Sequence, residues 1–310
     1  MYKIGIIGAD HPDGGELIRL LVNHPEVEII NLYAPSLTGR NVCSVHPGLI
    51  GEKIVNFSDQ INFDDLNLVF IADSSQIPDT LYTLSDEMSD LKIIILDSTT
   101  KDLPFKTEIG LSEINRKALV RGATKAQLLY PVFVPIMISL YPLAMYMLLK
   151  NSLHINVEIP DGMKNEIGKW DEEKSGITEM LKEIQPSFNG NIILNFAFNH
   201  HDKRGIKISF ELECSLSLEE IEKIYEGIYD DHNFTFTSFS PIETNEIAGT
   251  QKCVISISKT SPDKLNVEAV ADGRLRGGAG DATHVMNLFF GLHEKTGLQL
   301  KTSLFGIVNK

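Results

Sequence analysis

The chain has 310 residues, 43% of them hydrophobic and 23% charged, which is enough for two domains with their own cores and far from the composition of a disordered segment. With 42 acidic against 28 basic residues the formal charge is −14, a field that repels phosphate backbones and anionic lipid, so neither nucleic acid nor a membrane is expected as a partner. The first residues lack the length and flanks of a signal peptide, and no run of ~18 apolar residues occurs. Cys43, Cys214 and Cys253 form no CxxC pair, so a cytoplasmic protein with reduced thiols and no metal site is expected.

The first half alternates apolar runs with amphipathic stretches, the pattern of a parallel sheet covered by helices. Strands are predicted at Lys3 to Ile7, Glu26 to Tyr33, Asn67 to Ala72 and Lys92 to Leu96, with helices at Gly14 to Asn23 and around Asp79 to Met88. Leu17, Leu20 and Leu21 fall on one face of the first helix. The second half changes character, with strands expected at Ile155 to Ile159, Asn191 to Phe198, Ile206 to Cys214, Cys253 to Lys259 and Lys264 to Ala271. Helices are expected at Thr178 to Ile184 and Ser217 to Tyr229, the latter opened by the capping-box pair Ser217 and Glu220, and a last one at Gly280 to Leu292. The fold class is therefore α/β: a Rossmann-type, doubly wound parallel-sheet domain (1–135) and an α+β domain with a mainly antiparallel sheet (136–279), the C-terminal helix (280–310) returning to the first.

Between the first strand and helix the chain reads Gly8-Ala-Asp-His-Pro-Asp-Gly14-Gly15. Glycines at such a turn let the backbone approach a cofactor pyrophosphate, which the helix N-terminus then binds. Gly8 and Gly14 fit the outer positions of a GxxGxxG loop and His11 takes the middle one, while Asp10 and Asp13 put carboxylates where a dianion belongs and Pro12 removes a donor. Two such charges oppose a dianion by roughly a few kcal/mol at an effective dielectric of ~20. The turn is either a plain strand-to-helix connection or a dinucleotide site. After the second strand, Ser36, Thr38 and Arg40 suit an adenosine 2′-phosphate, or else form a solvated loop. Asn199-His200-His201-Asp202 offers a base, a pair of metal ligands or a solvated strand end, although consecutive strand histidines point to opposite faces.

Read in order, GIIGA and GGELIRLLVNHPEVEI, the SLTGR stretch with VHPGL at 45–49, ILDST at 95–99, GLSEINR at 110–116, RGI at 204–206 and GRLRGGAGDATHVMNLFFGL at 273–292 resemble the N-acetyl-gamma-glutamyl-phosphate reductase family, within the aspartate-semialdehyde-dehydrogenase-like superfamily. NFAFNHHDKRGI and QKCVISISK are similar to the Bacteroidetes-type N-acyl variant of that family. The resemblance implies an NADP-dependent enzyme of arginine biosynthesis, assembled as a homodimer or homotetramer. Its chemistry is reductive dephosphorylation: a cysteine thiolate attacks an acyl phosphate, phosphate leaves, and hydride reduces the thioester to an aldehyde.

The family's nucleophile sits in an N-P-G-C turn. Here the matching stretch is Tyr130-Pro131-Val132-Phe133, so Phe133 takes the cysteine position and Val132 the preceding glycine. The family's histidine-rich signature is reduced to KSGITEM at 174–180, and its glycine-rich segment to PDGMKNEIGKW at 160–170. What the resemblance does carry over is Asn115, Arg116 and Arg204 as anion-binding groups, Gly278 and Gly280 on the nicotinamide side of the cofactor, and a base just before Arg204, where His200 and His201 stand. Asp281 replaces the usual glutamine of the late block.

Three functions follow as expectations. The chain is a catalytically inactive homologue kept for assembly or regulation, pairing with an active paralogue; or a divergent NAD(P)-dependent oxidoreductase using His200 or His201 with Arg204; or a reductase of the family type. The last requires a thiol, and no cysteine lies within tens of residues of Phe133.

Overall fold

The computed structural model describes residues 1–83, 90–96, 103 and 105–302. In chain order the elements are β1 (Tyr2–Ile7), α1 (Pro12–Leu21), β2 (Val27–Tyr33), β3 (Phe57–Ser58), β4 (Leu68–Ile71), α2 (Asp79–Tyr82), β5 (Lys92–Ile95), β6 (Glu108–Ile109), α3 (Ser112–Val120) and β7 (Lys125–Gln127). There follow α4 (Phe133–Met145), β8 (Leu153–Pro160), α5 (Asp171–Ile184), β9 (Ile192–Asn199), β10 (Gly205–Glu213), α6 (Leu218–Tyr229), β11 (Thr235–Ser238), α7 (Thr244–Ile247), β12 (Cys253–Ser261), β13 (Lys264–Asp272) and α8 (Ala279–Phe289). They fall into two units, Met1–Tyr130 with Gly277–Gln299, and Pro131–Arg276 with the chain from Leu300.

The first unit is built on a parallel sheet in the order β3-β2-β1-β4-β5-β7-β6. Ile7, Val69, Ile71, Ile93 and Ile95 join Phe63, Leu66, Leu81 and Leu91 in one apolar cluster. The alternate residues Ile6, Leu68, Phe70 and Ile94 are also fully buried, so both faces are covered, as a parallel sheet requires. Helix α1 begins two residues before the predicted start because Pro12 is preorganised for the first helical position and His11 caps it. The second predicted helix survives as α2; its remainder, like the end of ILDST, lies outside the described residues.

The segment after α8 is strapped to this unit by polar side chains. Asn287 Nδ2 donates to the carbonyls of Glu294 and Thr296, which leaves its Oδ1 as the acceptor for His24 Nε2 at 3.1 Å. His24 Nδ1 in turn accepts the Glu26 N–H, so the ring is neutral with its proton on Nε2. Burial lowers the His24 pKa below the ordinary 6.5, more strongly than its hydrogen bond to Asn287 raises it. A base with a depressed folded-state pKa is protonated more readily when unfolded, so this contribution to stability is complete above about 6.5 and declines as pH falls below it. Melting temperatures compared at neutral and mildly acidic pH should therefore drop more for the wild-type chain than for His24→Gln; equal drops would exclude His24 as the cause.

The second unit is a mixed sheet in the order β11-β12-β13-β10-β8-β9, antiparallel in its central pairings and parallel at its two edges. Helix α4 is almost wholly buried and packs on α5, α6, β10 and β13. Pro142 inside it has no N–H, which would orphan the Ile138 carbonyl four residues earlier. Tyr229 supplies the missing donor at 2.6 Å, and Tyr225 donates to the neighbouring Ser139 carbonyl at 2.5 Å. Burial pushes the Tyr225 hydroxyl far up, so it remains a donor at any physiological pH. Helix α6 carries the predicted capping box. Helix α5 starts seven residues before the predicted Thr178, at Asp171, because its first two turns present charged residues and a glycine, with no apolar stripe to mark them. Among the described residues, no helix is long and apolar enough to cross a membrane.

Candidate functional site

In the first unit the strand order reverses between β1 and β4, and ligands of such sheets bind outside the carboxyl ends of the strands at that point. The loops after β1 and β4 meet there. Gly8 adopts φ +74°, and a Cβ on it would lie 2.5 Å from Asp73 Cβ, while one on Gly14 would lie 2.5 Å from the Gly8 carbonyl. The backbone thus has the tight shape of a nucleotide turn, and only glycine permits it.

The side chains around the turn are committed to one another. Gln76 Nε2 donates to Asp10 Oδ1 at 2.8 Å and to Asp73 Oδ2 at 3.0 Å, joining the two loops. Burial pushes the Asp73 carboxyl up, but hydrogen bonds from Ser75 and Gln76 and the nearby His11 outweigh it and hold it below its usual range. His11 Nδ1 accepts the Asp13 N–H at 3.3 Å and stands 3.5 Å from the Asp13 carboxylate. From the far side His46 Nε2 donates to the Ala9 carbonyl at 2.8 Å. Gln76 Oε1 is buried without a partner.

Ser36, Thr38 and Arg40 follow β2 on exposed turns, Thr38 donating to the Pro35 carbonyl. Gly278 precedes α8 and Gly280 is buried in its first turn, where the buried Asp281 accepts the Gly277 N–H at 2.6 Å. Asn115 donates to Glu108 Oε2 and to the Ile109 carbonyl. Arg116 is hydrogen-bonded to Glu294, which also accepts His284 Nε2 at 3.0 Å. The guanidinium expected to hold a ligand anion already faces a carboxylate of its own chain.

In the second unit Phe133 is fully buried and meets Trp170 edge to face at 6.3 Å between centroids; Trp170 in turn packs on Phe196 at 5.5 Å. The position resembling the family's nucleophile is thus part of an aromatic core. Cys214 and Cys253 are buried, and the half-buried Cys43 donates its S–H to the Leu49 carbonyl.

At the end of β9, Asn199 Oδ1 accepts the N–H groups of His201 and Asp202, and Asp202 accepts those of Arg204 and Gly205. Burial pushes the Asp202 carboxyl up, but its bonds from Thr244 and these backbone groups hold it below its usual range. His200 pairs with Asp161, His201 is exposed, and Arg204 Nε donates at 2.7 Å to Asp272, a fully buried carboxylate. The three groups expected to work together are each held by a different partner or by none. No cluster fit to bind a metal occurs among the described residues.

The chain matches the semialdehyde dehydrogenase NAD-binding domain over residues 3–121. It is 32% identical to the N-acetyl-gamma-glutamyl-phosphate reductase of Parabacteroides distasonis and 32% to that of Bacteroides thetaiotaomicron, each over 98% of this chain and 100% of the relative. It belongs to the N-acetyl-gamma-glutamyl-phosphate reductase family. Solved structures with the same fold include aspartate semialdehyde dehydrogenase II from Vibrio cholerae complexed with ASA (TM-score 0.69, 12% identity, 94% of this chain and 98% of that one). Another is aspartate semialdehyde dehydrogenase with NADP from Candida albicans (TM-score 0.64, 12% identity, 94% and 98%). The family's two-domain α/β architecture accounts for both sheets, and the matched NAD-binding domain falls within the first unit.

Sequence reasoning passed over Gln76, Asp73, Trp170 and Asp272. Asp73 and Asp272 each stand directly after an apolar strand run or at its end, where a carboxylate signals either a site or a buried partner. Gln76 and Trp170 carry no such signal.

Proposed function

We propose that this member of the reductase family has lost thiol-dependent reductive dephosphorylation and serves as an assembly or regulatory homologue. The observation that carries the reading is the burial of Phe133, the residue that the family resemblance puts at the nucleophile position: it is wholly inaccessible and packs on Trp170, which packs in turn on the half-buried Phe196. A phenyl ring forms no thioester, and a side chain with no accessible surface is out of reach of an acyl phosphate in solvent. The remaining anion-binding candidates, Asn115, Arg116 and Arg204, are engaged by Glu108, Glu294 and Asp272. In this reading the 1–135 domain with the C-terminal helix keeps the nucleotide-binding architecture, and the 136–279 domain supplies a surface for a homo-oligomer or for an active paralogue. The thiol-independent alternative is less well supported, because His200 and Arg204 are directed to separate carboxylates.

The test is an assay of the purified chain with N-acetyl- and N-succinyl-gamma-glutamyl phosphate and NADPH, following nicotinamide absorbance. No turnover above the enzyme-free rate is expected from wild type or from Phe133→Cys. Turnover by the wild-type chain at an ordinary enzymatic rate of about 1 per second or more would sink the proposal.

A further inference from the structure

We infer that the chain has closed its own pyrophosphate subsite: the Asp10–Gln76–Asp73 bridge crosses the switch point of the parallel sheet, where a dinucleotide's phosphates would have to lie. The inference deepens the proposed function and rests on it only for the choice of NADPH as the cofactor to test.

The argument begins with topology. The walls of the crevice at the switch point are the loops after β1 and β4, and one amide spans both of them. Chemistry then decides what the crevice can receive. A pyrophosphate is a dianion whose oxygens only accept hydrogen bonds, so its site must present donors and positive charge. Here the first helical turn has lost one donor to Pro12, and a second, the Asp13 N–H, is taken by His11 Nδ1. Around the turn stand instead the carboxylates of Asp10, Asp73 and Asp13, the last against the His11 ring, and the Asp73 carboxyl is held below its usual range. Gln76 Oε1, the buried atom still without a partner, is an acceptor and calls for a donor that phosphate lacks. The amide cannot be turned round to relieve this, because its oxygen would then face two carboxylates. Backbone shape and side-chain chemistry thus disagree: the glycine turn of a nucleotide site persists around a lining that repels the nucleotide's charge.

Equilibrium titration of the full-length protein with NADPH at neutral pH, by nicotinamide fluorescence and calorimetry, tests the inference. Wild type should show no saturable binding into the millimolar range. The double variant Asp10→Asn with Asp13→Asn should bind about tenfold or more tighter, since each change removes a like charge near the phosphates. Asp13→Asn alone touches neither the bridge nor the core, so it serves if the double variant fails to fold, and a smaller gain is expected from it. Micromolar binding by wild type, or no gain in a folded variant, would overturn the inference. NADPH binding without turnover overturns this inference alone, whereas reductase turnover by wild type removes the proposed function as well.

Discussion

Phe133→Ala is expected to lower the stability of the second unit by about 3–5 kcal/mol, the range for deleting a large aromatic from a close-packed core. The ring is completely inaccessible and bounded by Trp170, which is itself nearly inaccessible, so the walls cannot collapse into the vacated volume without moving a second aromatic. The chain has a single tryptophan, and it is this one, so urea unfolding followed by its emission reports on the affected core directly. Phe133→Cys removes the same ring and should be destabilising on the same order, which is why a thiol placed at this position is not expected to produce a reductase. A loss below about 1 kcal/mol for Phe133→Ala would show that the ring is peripheral to the core and would weaken the case that the nucleophile position has been absorbed into it.

Asp272→Ala should be the next most damaging single change. Its carboxylate is fully buried and accepts three bonds, from Arg204 Nε at 2.7 Å, from the Gly249 N–H at 2.7 Å and from the Arg274 N–H at 2.9 Å. Removing it takes an acceptor away from two backbone donors and from Arg204 Nε. Breaking a buried pair typically costs about 3–5 kcal/mol, and because Arg204 is 30% exposed and can rehydrate, the lower end is expected. Thermal melting of Asp272→Ala beside Asp272→Asn, which keeps an acceptor oxygen, checks the assignment: the asparagine variant should recover part of the loss. If the two melt alike, the carboxylate's hydrogen bonds are not what the position contributes.

The architecture could be read from the sequence because the first half repeats the period of a covered parallel sheet and the second half reads as separate strands. The short apolar run Leu68 to Ala72, between Asn67 and Asp73, suits a strand buried on both faces. The start of helix α5 is hidden because Asp171–Gly176 lack an apolar stripe, and the two-residue strands β3 and β6 are too brief to carry a period. The candidate site was legible where backbone demands fix residue type, as at Gly8 and Gly14. It was not legible where a partner lies far along the chain: the sequence separation of Arg116 from Glu294, or of Arg204 from Asp272, conceals that these cations are already neutralised. The family resemblance draws attention to Phe133 in the sequence, but its role as a core residue depends on Trp170, which only the fold brings to it.

The first unit is assembled from two separated stretches, whereas almost all of the second lies between them in sequence. A ribosome therefore releases the parallel sheet well before α8, the helix that packs on α1 and α3, has been made. At typical elongation rates the interval is on the order of ten seconds. Throughout it the faces of α1 and β5 that α8 later covers stay open to solvent, while the Pro131–Arg276 stretch of the second unit can already close. The nascent chain is thus expected to finish its later-synthesised half first and to depend on holdase chaperones during the wait.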